Sequence, residues 1–178
     1  PFTVGGGITT LEDVRTLLSV GADKIVLNTA AFDSPQLISQ IAERFGSQCI
    51  VLSIDAKRHS NGDYECYRYS GKEKTGKGVL DWAKEIEKAG AGEILLTSID
   101  NDGTMNGYDL ELIKMVTQEL SIPVIASGGA GNYQDMTDAV LIGGAEAIAA
   151  ASIFRFTEPT PQAAKLYLKE KGVSVRFS

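Results

Sequence analysis

Short runs of apolar, often β-branched residues alternate along the chain with longer stretches in which apolar residues recur every three or four positions. The short runs predict buried strands and the longer stretches predict amphipathic helices. The predicted strands are Phe2–Val4, Lys24–Leu27, Cys49–Ile54, Glu93–Ser98, Pro123–Ala126 and Ala147–Ala150. The predicted helices are Leu11–Val20, Pro35–Phe45, Leu80–Ala89, Leu110–Leu120, Tyr133–Ile142 and Pro161–Lys171. The polar stretch from His59 to Gly71 predicts a short hairpin excursion.

The alternation of strand and helix predicts right-handed βαβ units around a parallel sheet. Six units in 178 residues use about 30 residues each, and eight such units would give the roughly 250 residues of an ordinary (βα)8 barrel. We therefore expect residues 1–178 to form a single α/β domain with the (βα)8 TIM barrel fold and six of its eight units. On this interpretation the first two units are missing and the natural N-terminus lies upstream. A doubly wound open sheet is the alternative architecture.

An internal repeat relates two segments that begin at positions 1 and 123. With one gap, they share Gly6/Gly128, Gly7/Gly129, Asp13/Asp135, Gly21/Gly144 and Ala22/Ala145. Each copy is followed by a short polar or small pair, Asn28-Thr29 or Ala151-Ser152. Glycine lets a loop approach an anion closely, and N–H groups at a helix N-terminus stabilise negative charge. The repeat therefore predicts two phosphate sites at one barrel mouth and an elongated bis-phosphate ligand. Alternatively, the glycines only permit tight turns.

Three aspartates follow predicted strands. Asp55 ends the run IVLSID, and an acid at the C-terminal end of a barrel strand faces the mouth. Partial desolvation there raises the pKa of a carboxyl toward the range useful for general acid–base catalysis. The alternatives for Asp55 are a helix N-cap or an ion pair with Lys57 or Arg58. Asp100 and Asp102 lie in a stretch where Asx turns are common. By the repeat, the counterpart of Asp55 would precede residue 1, so we expect a second acid on the first missing strand.

Composition excludes several classes of function. The net charge of −6 argues against a nucleic-acid-binding surface, and no stretch approaches the roughly 20 apolar residues of a membrane span. The two cysteines, Cys49 and Cys66, fit a reducing compartment, and the single histidine, His59, leaves no histidine-rich metal site. We expect a cytoplasmic protein without a metal or cofactor. Lys24 and Glu93 begin their strands at the opposite end of the barrel, where charges usually stabilise the fold or a subunit contact.

Several long blocks of the sequence are typical of one protein family. They are TVGGGI, GADKIVLNTAA, ERFGSQCIVLSIDAKR, GAGEILLTSIDNDGT, NGYDLELI, IPVIASGGAG, AASIF and GVSVRF. The blocks span the whole chain, which resembles the cyclase subunits of imidazole glycerol phosphate synthases. The resemblance implies a (βα)8 barrel and a lyase reaction of histidine biosynthesis. There, ammonia from a partner glutaminase and a bis-phosphorylated ribulosyl formimino aminoimidazole carboxamide ribonucleotide become imidazole glycerol phosphate and an aminoimidazole carboxamide ribotide.

The resemblance also implies roles for individual residues. Asp55 resembles the family's second catalytic aspartate, a general acid or base. The residues implied in substrate and phosphate binding are Gly7, Asn28, Thr29, Thr97, Asp102, Gly103, Ser127, Gly129, Ala130, Ala151 and Ser152. Lys24 and Glu93 resemble members of a charged ring through which ammonia enters, and Asp23 resembles a contact to the glutaminase in a heterodimer. The family often has FHF where this chain has Phe154-Arg155-Phe156.

Two other functions stay open. A paralogue of the family would pass ammonia on for the amidation of surface-polysaccharide sugars, although the intact Asn28-Thr29, DNDGT and AASIF elements favour the histidine pathway. The chain would otherwise be a non-catalytic fragment or scaffold. Six units leave two open strand edges and an exposed core, which promote aggregation. We therefore expect the 178-residue chain alone to be inactive and poorly soluble.

Overall fold

The computed structural model describes residues 2–177, so Pro1, at which the first copy of the repeat begins, lies outside the described residues. The strands are β1 (Thr3–Gly5), β2 (Lys24–Leu27), β3 (Ile50–Arg58), β4 (Tyr64–Arg68), β5 (Glu73–Gly78), β6 (Glu93–Ser98), β7 (Val124–Ser127) and β8 (Ala147–Ile148). The helices are α1 (Leu11–Ser19), α2 (Thr29–Asp33), α3 (Gln36–Phe45), α4 (Val79–Ala89), α5 (Leu110–Thr117), α6 (Tyr133–Leu141), α7 (Ser152–Phe156) and α8 (Pro161–Glu170), with a 3-10 turn at Ser47–Cys49.

Six strands form a curled parallel sheet in the order β1-β2-β3-β6-β7-β8. This confirms the predicted α/β class, a partial (βα)8 barrel. The doubly wound alternative is wrong. In that fold the order of the strands reverses at a switch point, whereas here the parallel strands lie side by side in the same order as in the chain. The C-terminal ends of all six strands therefore lie at one rim of the sheet.

The convex face of the sheet carries the core. Side chains alternate between the two faces of a strand, and the helix-facing set is at most 1% exposed: Ile25, Leu27, Ile50, Leu52, Ile54, Ile94, Leu96, Val124 and Ala126. These residues join one apolar cluster with buried side chains of the helices. Val26, Leu95 and Ile125 on the concave face are only half-buried. The concave face and its rim are therefore the surfaces on which a functional site can form.

The predicted hairpin excursion is a three-stranded antiparallel meander. The expected end of β3 at Ile54 is wrong, because the strand continues to Arg58 and pairs with β4, which in turn pairs with β5. Cys66, within the polar stretch that predicted the excursion, lies fully buried in β4. Trp82 of α4 is 1% exposed and stacks on Phe32 with ring centroids 4.3 Å apart. The meander lies at the rim of the sheet, because β3 continues past Ala56, its last residue paired with β6.

Two short helices, α2 and α7, follow β2 and β8 and were not predicted. Each has five residues, too few to produce an amphipathic pattern in the sequence. Among residues 2–177 no helix is long and apolar enough to cross a membrane.

Candidate functional site

The two copies of the repeat build the same loop and helix start. In α1 the Asp13 carboxylate accepts from the N–H of Thr10 at 2.8 Å, and in α6 the Asp135 carboxylate accepts from the N–H of Asn132 at 3.1 Å. Each helix begins with a reciprocal capping box. Backbone hydrogen bonds from Thr9 and Thr10 lower the pKa of Asp13. The aspartates shared by the copies therefore hold both glycine-rich loops in place.

The first loop forms a cavity of about 650 Å³ at the rim, here called the N-terminal corner. Its lining includes Gly7, Asn28, Thr29, Ser53 and Asp55. Gly7 has a φ of +71°, a left-handed conformation in which glycine is favoured. The structure thus brings the predicted phosphate-binding residues of the first copy together with the predicted acid.

The N-terminal corner also contains residues that sequence reasoning missed. Tyr69 and Ser70, in the turn between β4 and β5, line the cavity with φ values of 52° and 57°. Left-handed backbone at residues other than glycine costs about 1–3 kcal/mol and concentrates at functional sites. The N–H of Tyr69 donates to Thr29 Oγ1 at 3.1 Å. The Tyr-Ser-Gly segment is a signal for a turn in the sequence. The position of this turn at the rim, however, depends on the pairing of β3 with β4.

The second copy forms a smaller cavity of about 150 Å³, the C-terminal corner. It is lined by the remaining predicted phosphate-binding residues apart from Thr97: Asp102, Gly103, Ser127, Gly129, Ala130, Ala151 and Ser152. A Cβ at Gly129 would lie 2.1 Å from the Gly107 carbonyl oxygen, and the φ of Gly129 is +112°. Glycine is therefore required here for close packing of two loops as well as for backbone conformation.

A single row of side chains connects the two corners. Asp55 in β3 is opposite Thr97 in β6, and Thr97 is opposite Ser127 in β7. Paired residues point to the same face of a sheet, so all three lie on the concave face. Asp55 lines the N-terminal corner and Ser127 lines the C-terminal corner. A ligand that occupied both corners would therefore lie along this row.

The surroundings of Asp55 raise the pKa of its carboxyl. Burial raises the pKa of the Asp55 carboxyl, hydrogen bonds from Ser53 and Asn28 oppose that rise, and the negative charge of Asp102 adds to it. The Ser53 hydroxyl donates to Asp55 Oδ1 at 3.4 Å. The Oδ1 atom of Asn28 is buried without a hydrogen-bond partner in residues 2–177. An unsatisfied buried oxygen of this kind suits a site that a ligand completes.

Both alternatives for Asp55 are wrong. The residue lies inside β3, so it caps no helix. Its two basic neighbours have other partners, because Arg58 forms a 2.7 Å ion pair with Glu111 and the Lys57 ammonium lies 5.8 Å from the Tyr67 ring centroid. The carboxyl therefore stays available to the cavity.

Asp100 behaves differently from Asp55 and Asp102. Asp100 is exposed, as Asp102 also is, but it lines neither corner and its carboxylate accepts from the N–H of Arg58 at 2.9 Å. It lines a separate, more open cavity on the outer side of the rim. The alternative interpretation of Asp100, a structural role in a turn, fits this geometry.

The residues expected at the opposite end of the barrel do lie there. Lys24 and Glu93 begin β2 and β6 and form an ion pair. Asp23 is exposed and its carboxylate accepts from the N–H of Phe2 at 2.6 Å. Val51, opposite Glu93, precedes Asp55 by four positions, which is about 13 Å along a strand. The ion pair is therefore separated from the rim by the depth of the sheet.

Comparisons with a family model and with curated proteins agree on one family. The family model described as "Histidine biosynthesis protein" matches residues 1–159. Two curated relatives, from Leptospira biflexa serovar Patoc strain Patoc 1 / Ames and strain Patoc 1 / ATCC 23582 / Paris, are each named imidazole glycerol phosphate synthase subunit HisF. Each is 53% identical over 178 residues, which is 99% of this chain and 70% of the relative.

The environment of Asp55 leads to a prediction about its titration. We expect the carboxyl, followed by NMR, to titrate above the roughly 3.9 of an unperturbed aspartate. The Ser53→Ala variant removes a hydrogen bond that favours the charged form, so its Asp55 should titrate higher still. Ser39→Ala, which removes a hydroxyl that donates to the Gln36 carbonyl at an exposed site on α3, serves as the control and should leave the titration unchanged.

A second consequence concerns stability. Since the folded pKa of Asp55 exceeds the unfolded pKa, the folded state binds more protons between these two values, and stability contributed by this group falls as pH rises through that window. Asp55→Asn should therefore raise the melting temperature relative to the parent protein at neutral pH, and the difference should shrink below the unfolded pKa. A variant that is less stable at neutral pH would contradict the desolvation of this carboxyl.

Proposed function

This chain belongs to the histidine biosynthesis protein family, and on that premise we propose that its two corners and Asp55 form the cyclase site of an imidazole glycerol phosphate synthase. The substrate would be the bis-phosphorylated ribulosyl formimino aminoimidazole carboxamide ribonucleotide, which reacts with ammonia. The products would be imidazole glycerol phosphate and an aminoimidazole carboxamide ribotide. The site would act in the cytoplasm, a compartment that suits the two buried free cysteines.

The row Asp55–Thr97–Ser127 is the observation that carries this proposal. It places an acid that lines one cavity in the same row as a residue that lines the other, and capping boxes of the same kind hold the glycine-rich loops of both cavities. Backbone N–H groups of such loops suit phosphate oxygens without requiring a net positive charge. A substrate with a phosphate at each end would be held at both corners, and its reacting middle would lie over the row.

Asp55 would act as a general acid or base on that middle portion. A carboxyl with a raised pKa exchanges protons more readily near neutral pH than an ordinary aspartate does. Asn28 would position the substrate, because its unsatisfied Oδ1 atom can accept a hydrogen bond from a hydroxyl or N–H group of the ligand. The Ser53 hydroxyl would hold the carboxyl in place.

The opposite end of the sheet would receive ammonia from a partner glutaminase. Support comes from the Lys24–Glu93 ion pair, which lies on the concave face about 13 Å below the acid. The half-buried side chains of Val26 and Leu95 line the face between these levels. Exposed Asp23, beside the ion pair, would contact the glutaminase.

The first test is turnover of the bis-phosphate substrate with ammonium salts by the full-length protein. Asp55→Asn should lower kcat by about 10²–10⁴-fold, the usual contribution of general acid–base catalysis. Asp100→Asn is the matched control, since it neutralises a rim carboxylate outside both corners, and it should retain nearly full activity. A folded parent protein without turnover, or an Asp55→Asn variant as active as the parent, would reject the proposal.

The glutaminase proposal has its own test. Asp23→Ala and Lys24→Met should reduce the glutamine-dependent rate at least tenfold while the rate with saturating ammonium salts changes by less than about threefold, because neither change touches the rim. Equal losses with both nitrogen sources would place these residues outside ammonia delivery.

We also propose that the 178-residue chain alone is inactive. Strands β1 and β8 are the two edges of the parallel part of the described sheet, and a closed barrel of eight parallel strands would need two more between them. Turnover by this chain, measured as above, would show that the described corners and Asp55 suffice.

A further inference from the structure

Three loops from neighbouring strands meet at the C-terminal corner. Asp102 and Gly103 come from the loop after β6, Gly129 from the loop after β7, and Ser152 from the segment after β8. Anion binding by such a corner requires that the three loops keep a fixed spacing, because each hydrogen bond depends on the position of its donor.

The loop after β6, residues 99–109, contacts both of the others. The N–H of Gly107 donates to the Gly129 carbonyl at 2.8 Å, and the Asn101 side-chain amide donates to the Gly107 carbonyl at 2.8 Å. The next residue, Tyr108, extends in the other direction, and its hydroxyl donates to the Ala149 carbonyl at 2.9 Å. One short segment thus connects the loops after β7 and β8.

Tyr108 is well suited to hold this connection. It is 6% exposed. Burial raises the pKa of its hydroxyl, and the negative charge of Asp135 raises it further, so the group remains a neutral donor at physiological pH. Ala149 lines the C-terminal corner and is fixed on both sides, because its own N–H donates to the Ala126 carbonyl at 2.8 Å. The next three residues, Ala150, Ala151 and Ser152, also line the corner.

We propose that Tyr108 is a positioning residue for anion binding: its hydroxyl fixes the segment after β8 against the loop after β6 and so preorganises the C-terminal corner for one phosphate of the substrate. This inference rests on the proposed function in so far as the corner binds a phosphate. It adds a residue that does not line either corner and that would act only through Ala149.

The N-terminal corner is held by contacts that are more exposed to solvent. The Tyr69 N–H donates to Thr29, with Tyr69 50% exposed, and Arg68 forms an ion pair with the half-exposed carboxylate of Asp33. Its cavity is about 650 Å³ against about 150 Å³, and it contains the unsatisfied Asn28 oxygen. The C-terminal corner is therefore the preorganised one, and the effect of Tyr108 should be confined to it.

The test is a titration of the full-length protein with inorganic phosphate, followed through backbone amide resonances. Gly129 and Ser152 report on the C-terminal corner, and Gly7 and Thr29 report on the N-terminal corner. Tyr108→Phe removes only the hydroxyl, so the phosphate Kd at the C-terminal corner should rise by about three- to tenfold, as expected for one lost hydrogen bond. The Kd at the N-terminal corner should stay within about twofold.

Tyr64→Phe is the matched control. Tyr64 is 7% exposed, and its hydroxyl donates to Asp109, the residue next to Tyr108, at 3.0 Å. Removing it should leave the phosphate Kd at both corners unchanged. In steady-state kinetics Tyr108→Phe should raise the KM for the bis-phosphate more than it lowers kcat, because it weakens binding in the ground state and the transition state alike.

An unchanged phosphate Kd in Tyr108→Phe, or equal losses at both corners, would overturn the positioning role. Lack of phosphate binding by the parent protein at the C-terminal corner would overturn both this role and the proposed function. Phosphate binding that depends on Tyr108, in a protein without cyclase turnover, would reject the proposed function alone and support the inference.

Discussion

The parallel hydrogen-bond register of β3, β6 and β7 is the constraint on which the site depends. It sets Asp55, Thr97 and Ser127 side by side on the concave face, although they are far apart in sequence. The convex face supplies the stability, since its side chains are almost fully buried against the helices. This division leaves the concave face free to carry polar residues, such as the partly desolvated Asp55 carboxyl, that would weaken a core.

The same local design is used twice and then adapted differently. Capping boxes at Thr10–Asp13 and Asn132–Asp135 fix two equivalent glycine-rich loops. At the C-terminal corner, neighbouring loops pack so closely that Gly129 has no room for a side chain. At the N-terminal corner, the strained Tyr69–Ser70 turn covers a wider cavity beside the acid. On our proposal, the C-terminal corner holds an anion firmly and the N-terminal corner adjoins the group that performs the chemistry.

Local sequence patterns predicted much of the fold. Strands β2 and β6 match the predicted strands residue for residue, and the repeat predicted both corners because it preserves glycines and capping aspartates. The extension of β3, the position of Tyr69 and the contact of Tyr108 with Ala149 were not predictable in this way. Each depends on pairing or packing between distant segments, which periodicity does not encode. The roles of Asp23, Lys24, Glu93 and the phosphate-binding residues stay predictions, as does the role of Asp55.

The central claim is that one elongated ligand spans both corners across the row that contains Asp55. A crystal structure of the full-length protein with a bound bis-phosphate substrate analogue tests it most directly. The account predicts one phosphate against Gly7 and Thr29, the other against Gly129 and Ser152, and the middle of the ligand within hydrogen-bond distance of the Asp55 carboxyl. A ligand whose phosphates leave either corner empty, or whose middle lies away from Asp55, would contradict it.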